Sequence, residues 1–272
     1  MRIAVLPFDV RVDACDDNLA VVEAGLRAAA REGVALVVLP EMWPTSFPVA
    51  ETDVDAATIA NARAVEHVRA CSRDLDLVVA GSALHAREHA RPTNRWHLIE
   101  RGEIVASHDK IHLFTPTAED ASFSAGDAPP SWADTRAGRV GGTVCYDLRF
   151  PEPSRWLFHA GVELLAVSAQ WPTTRLDHLE ALCAGRAVET QSFVAVCNRT
   201  GTAFVGRRRL ELAFPGRGSI LDPHGRVLAR GGAEAGLVTA DVDLDVAREL
   251  RVRVPVTKDE RRDVYARWRE TR

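Results

Sequence analysis

Lysine is almost missing from this chain. Of the 34 basic residues among its 272, only Lys110 and Lys258 are lysine. Arginine cannot replace a compact ammonium point charge, so a lysine kept among so many arginines points to a specific role, and Lys110 is singled out on that ground. Long apolar runs are missing too. No stretch approaches the roughly 18–20 residues needed to cross a bilayer, and the first ten residues, "MRIAVLPFDV", lack the long apolar core and small-residue cleavage site of a signal peptide. The expectation is a cytoplasmic protein with no membrane partner. Neither sign of charge dominates: a net charge of −4 leaves no global footprint for nucleic acid. The five cysteines, Cys15, Cys71, Cys145, Cys183 and Cys197, are odd in number and widely spaced, which argues against a disulfide framework or a CxxC metal pair. Neither a G-x-G-x-x-G nor a P-loop pattern occurs, which disfavours a nucleotide-binding protein. No Pro/Gly/Ser-rich linker and no shift of composition divides the chain, so residues 1–272 are read as a single domain.

What is present alternates regularly. "RIAVLPF", "VALVVLP", "LDLVVAGSAL", "RVGGTVCYD", "VELLAVSAQ" and "SFVAVCN" are apolar runs of the kind that form buried strands. Between them "NLAVVEAGLRAAAREG", closed by Gly33, and residues 56–74, 153–160 and 175–189 have helical character. "RWHLIERGEIVASHDK" and "GSILDPHGRVLARGG" are hairpin signals, and "GLVTADVDL" is a strand before a charged helix. The pattern is α/β, with a mixed sheet or two sheets.

Chemistry-bearing residues collect where strands end. "HAREH" (85–89) fits an H-x-x-E-H zinc pattern, but it follows a strand and runs into "ARPTN", which reads as a turn, so a solvated loop is expected and no metal. "RRR" (207–209) reads as a surface patch. Cys145 differs: it closes an apolar run, and "DLRFP" makes the chain leave the sheet at once. Glu41 ends "VALVVLPE" and Lys110 follows "EIVASHD" in the same manner. In α/β folds ligand and catalytic groups lie at the carboxyl ends of strands. A thiol is a nucleophile as thiolate, a carboxylate can take its proton and return it to a leaving amine, and an ammonium can hold an oxyanion. The other four cysteines are read as buried apolar residues or idle thiols.

"LPEMW", "HDKIHLF" and "VCYDLRFPE", in that order, resemble the three signatures of the nitrilase superfamily of carbon–nitrogen hydrolases, and the flanking stretches "EDASFSAGD", "SAQWP", "GRAVETQSFVAVCNRTG" and "VPVTKDERRDVY" extend the likeness nearly end to end. The resemblance implies a four-layer α-β-β-α sandwich and a triad of Glu41, Lys110 and Cys145. It further implies a nearby second glutamate at Glu119, an oxyanion hole shared by Lys110 and the Tyr146 N–H, and no metal or organic cofactor. Homodimers or higher homo-oligomers are implied as well, paired through the helix after the cysteine and a C-terminal arm at about residues 244–272. Within the family the chain looks most like omega-amidases, and Tyr146-Asp147 after the nucleophile matches amidases rather than nitrile hydrolases. Gly185 and Thr190 depart from the usual alanine and asparagine, and "AFVGRRRLELAFPG" lengthens or rearranges a loop near the site. Trp43, Phe47 and Trp171 are expected to wall the pocket. Arg149, Arg199 or an arginine of the 207–209 run would receive the anionic end of a 2-oxoglutaramate- or succinamate-like substrate. N-carbamoyl amides and deaminated glutathione are alternative substrates, and a non-catalytic interaction module is the rival reading from another class.

Overall fold

The computed structural model describes residues 1–206 and 209–270. Its first half comprises β1 (Arg2–Val5), α1 (Cys15–Arg31), β2 (Val34–Val38), α2 (Val54–Leu75), β3 (Val78–Arg87), β4 (Ala90–Glu100), β5 (Glu103–Asp109) and the one-turn α3 (Glu119–Ser122). Then follow β6 (Trp132–Thr135), β7 (Gly138–Val144), α4 (Pro151–His159), β8 (Leu164–Ala169), α5 (Leu176–Thr190) and β9 (Phe193–Asn198). The chain closes with β10 (Thr200–Val205), β11 (Leu210–Pro215), β12 (Ser219–Leu221), β13 (Val227–Arg230), β14 (Val238–Asp241), α6 (Asp245–Arg253), α7 (Val256–Asp259) and α8 (Arg262–Glu270).

Two six-stranded sheets form, in the orders β14-β1-β2-β3-β4-β5 and β13-β12-β9-β8-β7-β6. In the first, β1, β2 and β3 are mutually parallel; in the second, β7, β8 and β9 are. Parallel strands joined by helices are covered on both faces, which is why these segments read as continuous apolar runs. Val37, Leu39 and Val79 turn outward to pack with Val22 and Leu26 of α1 and Val68 of α2. Leu36, Val38 and Ala80 turn inward and meet Val140, Val144, Leu164 and Ala166 of the second sheet. The same core runs through to Leu157 of α4 and Leu179, Cys183 and Ala187 of α5. Helix, sheet, sheet, helix: the fold is the α-β-β-α sandwich. Each large aliphatic side chain so enclosed contributes roughly 1.5–3 kcal/mol relative to exposure. The sheets approach closely where Trp96 of β4 lies on Gly142 of β7. A Cβ at Gly142 would sit 2.1 Å from the indole Cε2.

Two local expectations are corrected. "ARPTN" is the start of β4 and not a turn, so "HAREH" spans the end of β3 and the hairpin tip. Pro92 is tolerated there because β4 pairs with β5 only from Arg95 onward, leaving that flank without a neighbour that needs its N–H. His85 meets Arg95 at 2.6 Å, and among the described residues no group of three or more His, Cys, Asp or Glu side chains is placed to hold a metal. The stretch after β9, expected as a lengthened or rearranged loop, is a strand pair: β10 and β11 pair antiparallel from Thr200↔Pro215 to Val205↔Leu210. Arg207 and Arg208 lie outside the described residues, and Arg209 pairs with Glu51 at 2.5 Å.

Candidate active site

Cys145 is held in a turn. Immediately after β7 its φ is +45°, a backbone state that costs a residue bearing a Cβ about 1–2 kcal/mol. The chain then makes a short 3₁₀ turn over Cys145–Arg149 before Pro151 opens α4. Buried Asp147 ties this turn down: it accepts from the Val144 N–H at 3.4 Å and, through its other oxygen, from the His112 N–H at 2.8 Å. His112 Nδ1 lies 2.8 Å from the same oxygen, and its ring stacks on Phe150 at 3.6 Å. From α5, Arg186 donates to the Leu148 carbonyl through Nε (3.2 Å) and Nη2 (3.0 Å). The strand exit and these ties together fix the direction of the thiol.

Glu41, Lys110 and Glu119 converge beside it, all buried. Lys110 Nζ donates to Glu41 Oε1 at 2.8 Å and to Glu119 Oε1 and Oε2 at 2.8 and 2.9 Å. Glu41 Oε1 also accepts from Asn94 Nδ2 at 2.9 Å, while Oε2 accepts from the Gln170 N–H at 3.0 Å. Glu119 Oε2 takes the Phe114 N–H at 2.5 Å. Burial by itself would lower the Lys110 ammonium, but the carboxylates of Glu119 and Glu41 prevail and hold it above its ordinary value. Burial raises the Glu119 carboxyl; Lys110 opposes the rise and the charge of Glu41 adds to it. The Cys145 thiol is pushed well above its ordinary value, first by burial and then by Glu41, with Lys110 opposing. Such a thiol rests protonated, with the Glu41 carboxylate near enough to raise it further. An arrangement of this kind can make the nucleophile during attack by passing its proton to the neighbouring base, without a standing thiolate.

Above the cluster lies a pocket that opens to solvent. Glu41, Lys110, Glu119 and Cys145 form its floor, and Phe47, Phe114, Tyr146, Trp171 and Phe214 its walls. Arg149 and Arg175 complete the lining. Arg149 lies over the Trp171 ring at 4.8 Å and Arg175 over Phe114 at 5.5 Å. Among the described residues neither arginine stands in an ion pair, although most arginines elsewhere in the chain do. Two half-buried cations facing an aromatic pocket suit the anionic end of a ligand.

Eight of the ten sequence-predicted residues meet at this pocket: Glu41, Lys110, Glu119, Cys145, Tyr146, Phe47, Trp171 and Arg149. Two do not. The chain turns sharply at Met42 (φ +49°), and Trp43 is sent back over β3, against Gly81 and into the core beneath α1 and α2. Arg199 is wholly buried behind Glu41 and paired with Asp9 at 2.7 Å, so it is not available to a ligand. Gln170, Asn94, Asp147 and Arg175 were missed. Gln170 had a signal, since it too follows an apolar strand; Arg175 had none, being one arginine among many.

The family model described as carbon–nitrogen hydrolase matches residues 6–252. The chain is 33% identical to the 2-oxoglutaramate amidase of Bacillus subtilis (strain 168) over 264 residues, covering 97% of this chain and 98% of that protein. It is 32% identical over 254 residues to the deaminated glutathione amidase of Homo sapiens, covering 88% and 76%. Among solved structures, a variant of the Nesterenkonia AN1 amidase, of the nitrilase superfamily, superposes with a TM-score of 0.84 at 25% identity, covering 98% of this chain and 97% of that one.

Proposed function

The chain belongs to the carbon–nitrogen hydrolase family, and from that premise we propose that it hydrolyses the terminal amide of a short dicarboxylic acid monoamide, of the 2-oxoglutaramate or succinamate type, to the acid and ammonia. Cys145 Sγ attacks the amide carbonyl as its proton passes to Glu41. Oε2 is the better acceptor, because Oε1 already takes two donors and Oε2 one. The carbonyl π electrons move to oxygen, where Lys110 Nζ and the Tyr146 N–H hold the charge. Collapse breaks the C–N bond, and Glu41 returns the proton to the departing ammonia, leaving a thioester. Water then attacks, giving a proton to Glu41 with Glu119 fixing the geometry through Lys110. The C–S bond breaks, the acid leaves, and the thiol takes its proton back. No step calls for a metal or organic cofactor.

The observation that supports the nucleophile assignment most directly is Cys145 on its strained turn, in the same pocket as Glu41, whose carboxylate is itself bonded to Lys110 at 2.8 Å. Arg149 and Arg175, which have no ion pair among the described residues, support an anionic substrate. The test is ammonia release across succinamate, 2-oxoglutaramate, deaminated glutathione and N-carbamoyl amino acids, with Cys145→Ala and Cys145→Ser as controls. Both variants are expected to fold and to lose at least about 100-fold in kcat, a hydroxyl being far less nucleophilic at its free pKa. Turnover confined to N-carbamoyl compounds, or to deaminated glutathione as for the human relative, would replace the substrate and leave the chemistry standing. Activity of Cys145→Ala near that of the native enzyme would remove the nucleophile.

The same reading makes residues 1–272 one catalytic unit working in the cytoplasm, where its five free cysteines stay reduced. It acts as a homodimer or higher homo-oligomer. Trp156 on α4, Val188 on α5 and Val252 on α6 are exposed large apolar residues of the helical layer behind the second sheet, and they support pairing there. Sedimentation analysis of the native protein against Trp156→Glu tests the pairing.

A further inference from the structure

Arg199 is the largest buried cation that the proposed chemistry leaves unused. Its side chain is 0% exposed, yet its one ionic partner among the described residues, Asp9, is 51% exposed. Burial lowers the guanidinium from its ordinary value, and only Asp9 opposes this. Taking such a group out of water costs several kcal/mol even after relaxation, so its contacts bear on what it does.

Those contacts lead to Glu41. Arg199 Nη1 donates to Gln170 Oε1 and to Ser46 Oγ, both at 3.1 Å. Ser46 Oγ in turn donates to Gln170 Oε1 at 3.3 Å. With Oε1 thus engaged, the Gln170 amide has one orientation, and its Nε2 donates to the Glu41 main-chain carbonyl at 2.8 Å. The Gln170 N–H holds Glu41 Oε2 at 3.0 Å. Gln170 therefore grips both the backbone and the carboxylate of Glu41, and Arg199 grips Gln170. The remaining donors fix Arg199 itself: Nη2 to Asp9 Oδ1 at 2.7 Å and Nε to the Thr200 carbonyl at 3.1 Å. Its Cζ lies 4.6 Å from the Phe214 ring, whose residue walls the pocket. Arg199 is not itself part of that lining.

We propose that Arg199, charge-balanced by Asp9, is a positioning residue that sets the orientation of Glu41 through the Gln170 amide. The inference rests on Glu41 being the general base. Arg199 touches neither the nucleophile nor the substrate, so its loss acts on proton transfer and not on binding. A substrate-binding role would do the reverse and would select against anionic amides.

The test is a double-mutant cycle read by alkylation of Cys145 with iodoacetamide, which needs no knowledge of the true substrate. Arg199→Met is expected to slow alkylation about 10- to 100-fold at neutral pH, since about 1 Å of misplacement costs on that order. Raising the pH toward the thiol's own ionisation should narrow the gap. In a Glu41→Gln background the Arg199→Met change should have little further effect, because the group it positions is already disabled. In turnover, kcat should fall alike for succinamate and butyramide, with KM held. Arg199→Lys should recover only part of the rate, since an ammonium cannot reach Gln170, Ser46 and Asp9 in the guanidinium's fixed fork. If Arg199→Met does not fold, Asp9→Asn, at the half-exposed end of the chain of contacts, carries the same test and should show a smaller loss in the same direction. An equal slowing by Arg199→Met in the native and Glu41→Gln backgrounds overturns the proposal, as does a loss confined to succinamate. Alkylation of Glu41→Gln at the native rate overturns instead the premise that Glu41 is the base.

Discussion

Arg175→Met removes one cation from the pocket while keeping an unbranched apolar stem of similar reach. Arg149 is already engaged, with Nη2 3.0 Å from His178 Nδ1 and its guanidinium over Trp171. Arg175 has its main-chain carbonyl tied to Trp171 Nε1 at 2.8 Å, which fixes the backbone beneath it. Its side chain only lies over Phe114. The larger effect is therefore expected at Arg175. A charge-assisted hydrogen bond to a substrate carboxylate contributes about 1.5–3 kcal/mol, which at about 1.36 kcal/mol per factor of ten is a loss of roughly 10- to 150-fold in kcat/KM. The bare Coulomb attraction at 4 Å and an effective dielectric of 20 is about 4 kcal/mol, an upper bound for a half-buried group. The assay compares kcat/KM for succinamate and butyramide, which differ by the carboxylate. Succinamate should lose the full factor in Arg175→Met and less in Arg149→Met. Butyramide should stay within about threefold, because no charged contact is removed from it. If the succinamate-to-butyramide ratio is unchanged in both single variants and in the double variant, the two arginines do not bind substrate and the omega-amide reading loses its main structural support.

Lys110→Arg keeps the charge but places a larger planar cation in a closed site between Glu41 and Glu119; kcat should fall at least about 100-fold, and most of the native kcat surviving would show that the ammonium does not contact the oxyanion. Gly142→Ala sets a methyl 2.1 Å from the Trp96 ring, and neither the ring nor the sheet can yield cheaply. The denaturation midpoint should drop by the equivalent of about 1–3 kcal/mol, whereas an unchanged midpoint would mean that the sheets can separate there. Stability should also depend on pH through His97 and His108, whose pKa values are pushed down to about 3 and about 4, chiefly by burial. Below their ordinary value of 6.5 the unfolded chain binds protons that the folded chain refuses. Stability is thus complete above about pH 6.5 and falls toward pH 4, by up to about 1.4 kcal/mol per pH unit for each histidine. Denaturant midpoints from pH 7.5 down to about 4.5 check this, and a flat profile would contradict it.

Much of this protein was legible in one dimension, for physical reasons. Strands buried on both faces must be apolar throughout, so β2, β7, β8 and β9 stood out as uninterrupted runs. A group placed just past a strand is delivered to the open end of the sheet, and by that rule Glu41, Lys110 and Cys145 could be picked out before any contact was known. Gly33 (φ +68°) ended α1 as its position required. What the sequence could not decide was direction. Trp43 and Phe47 share a loop, yet two left-handed residues, Met42 before the first and Ser46 before the second, let the first enter the core and the second reach the pocket. Arg149, Arg175 and Arg199 are the same residue type near the same strand exits. Only the packing of β9 behind the Glu41 loop encloses Arg199 with Asp9 and Gln170, and among the described residues leaves the other two without an ion pair at the pocket. Residues far apart in sequence, such as Asp9 and Arg199 or Glu41 and Gln170, carry no local sign of their partnership. Their pairing exists only once the two sheets close on each other, because a buried charge or carboxylate takes its partners from whatever the tertiary fold brings within about 3 Å.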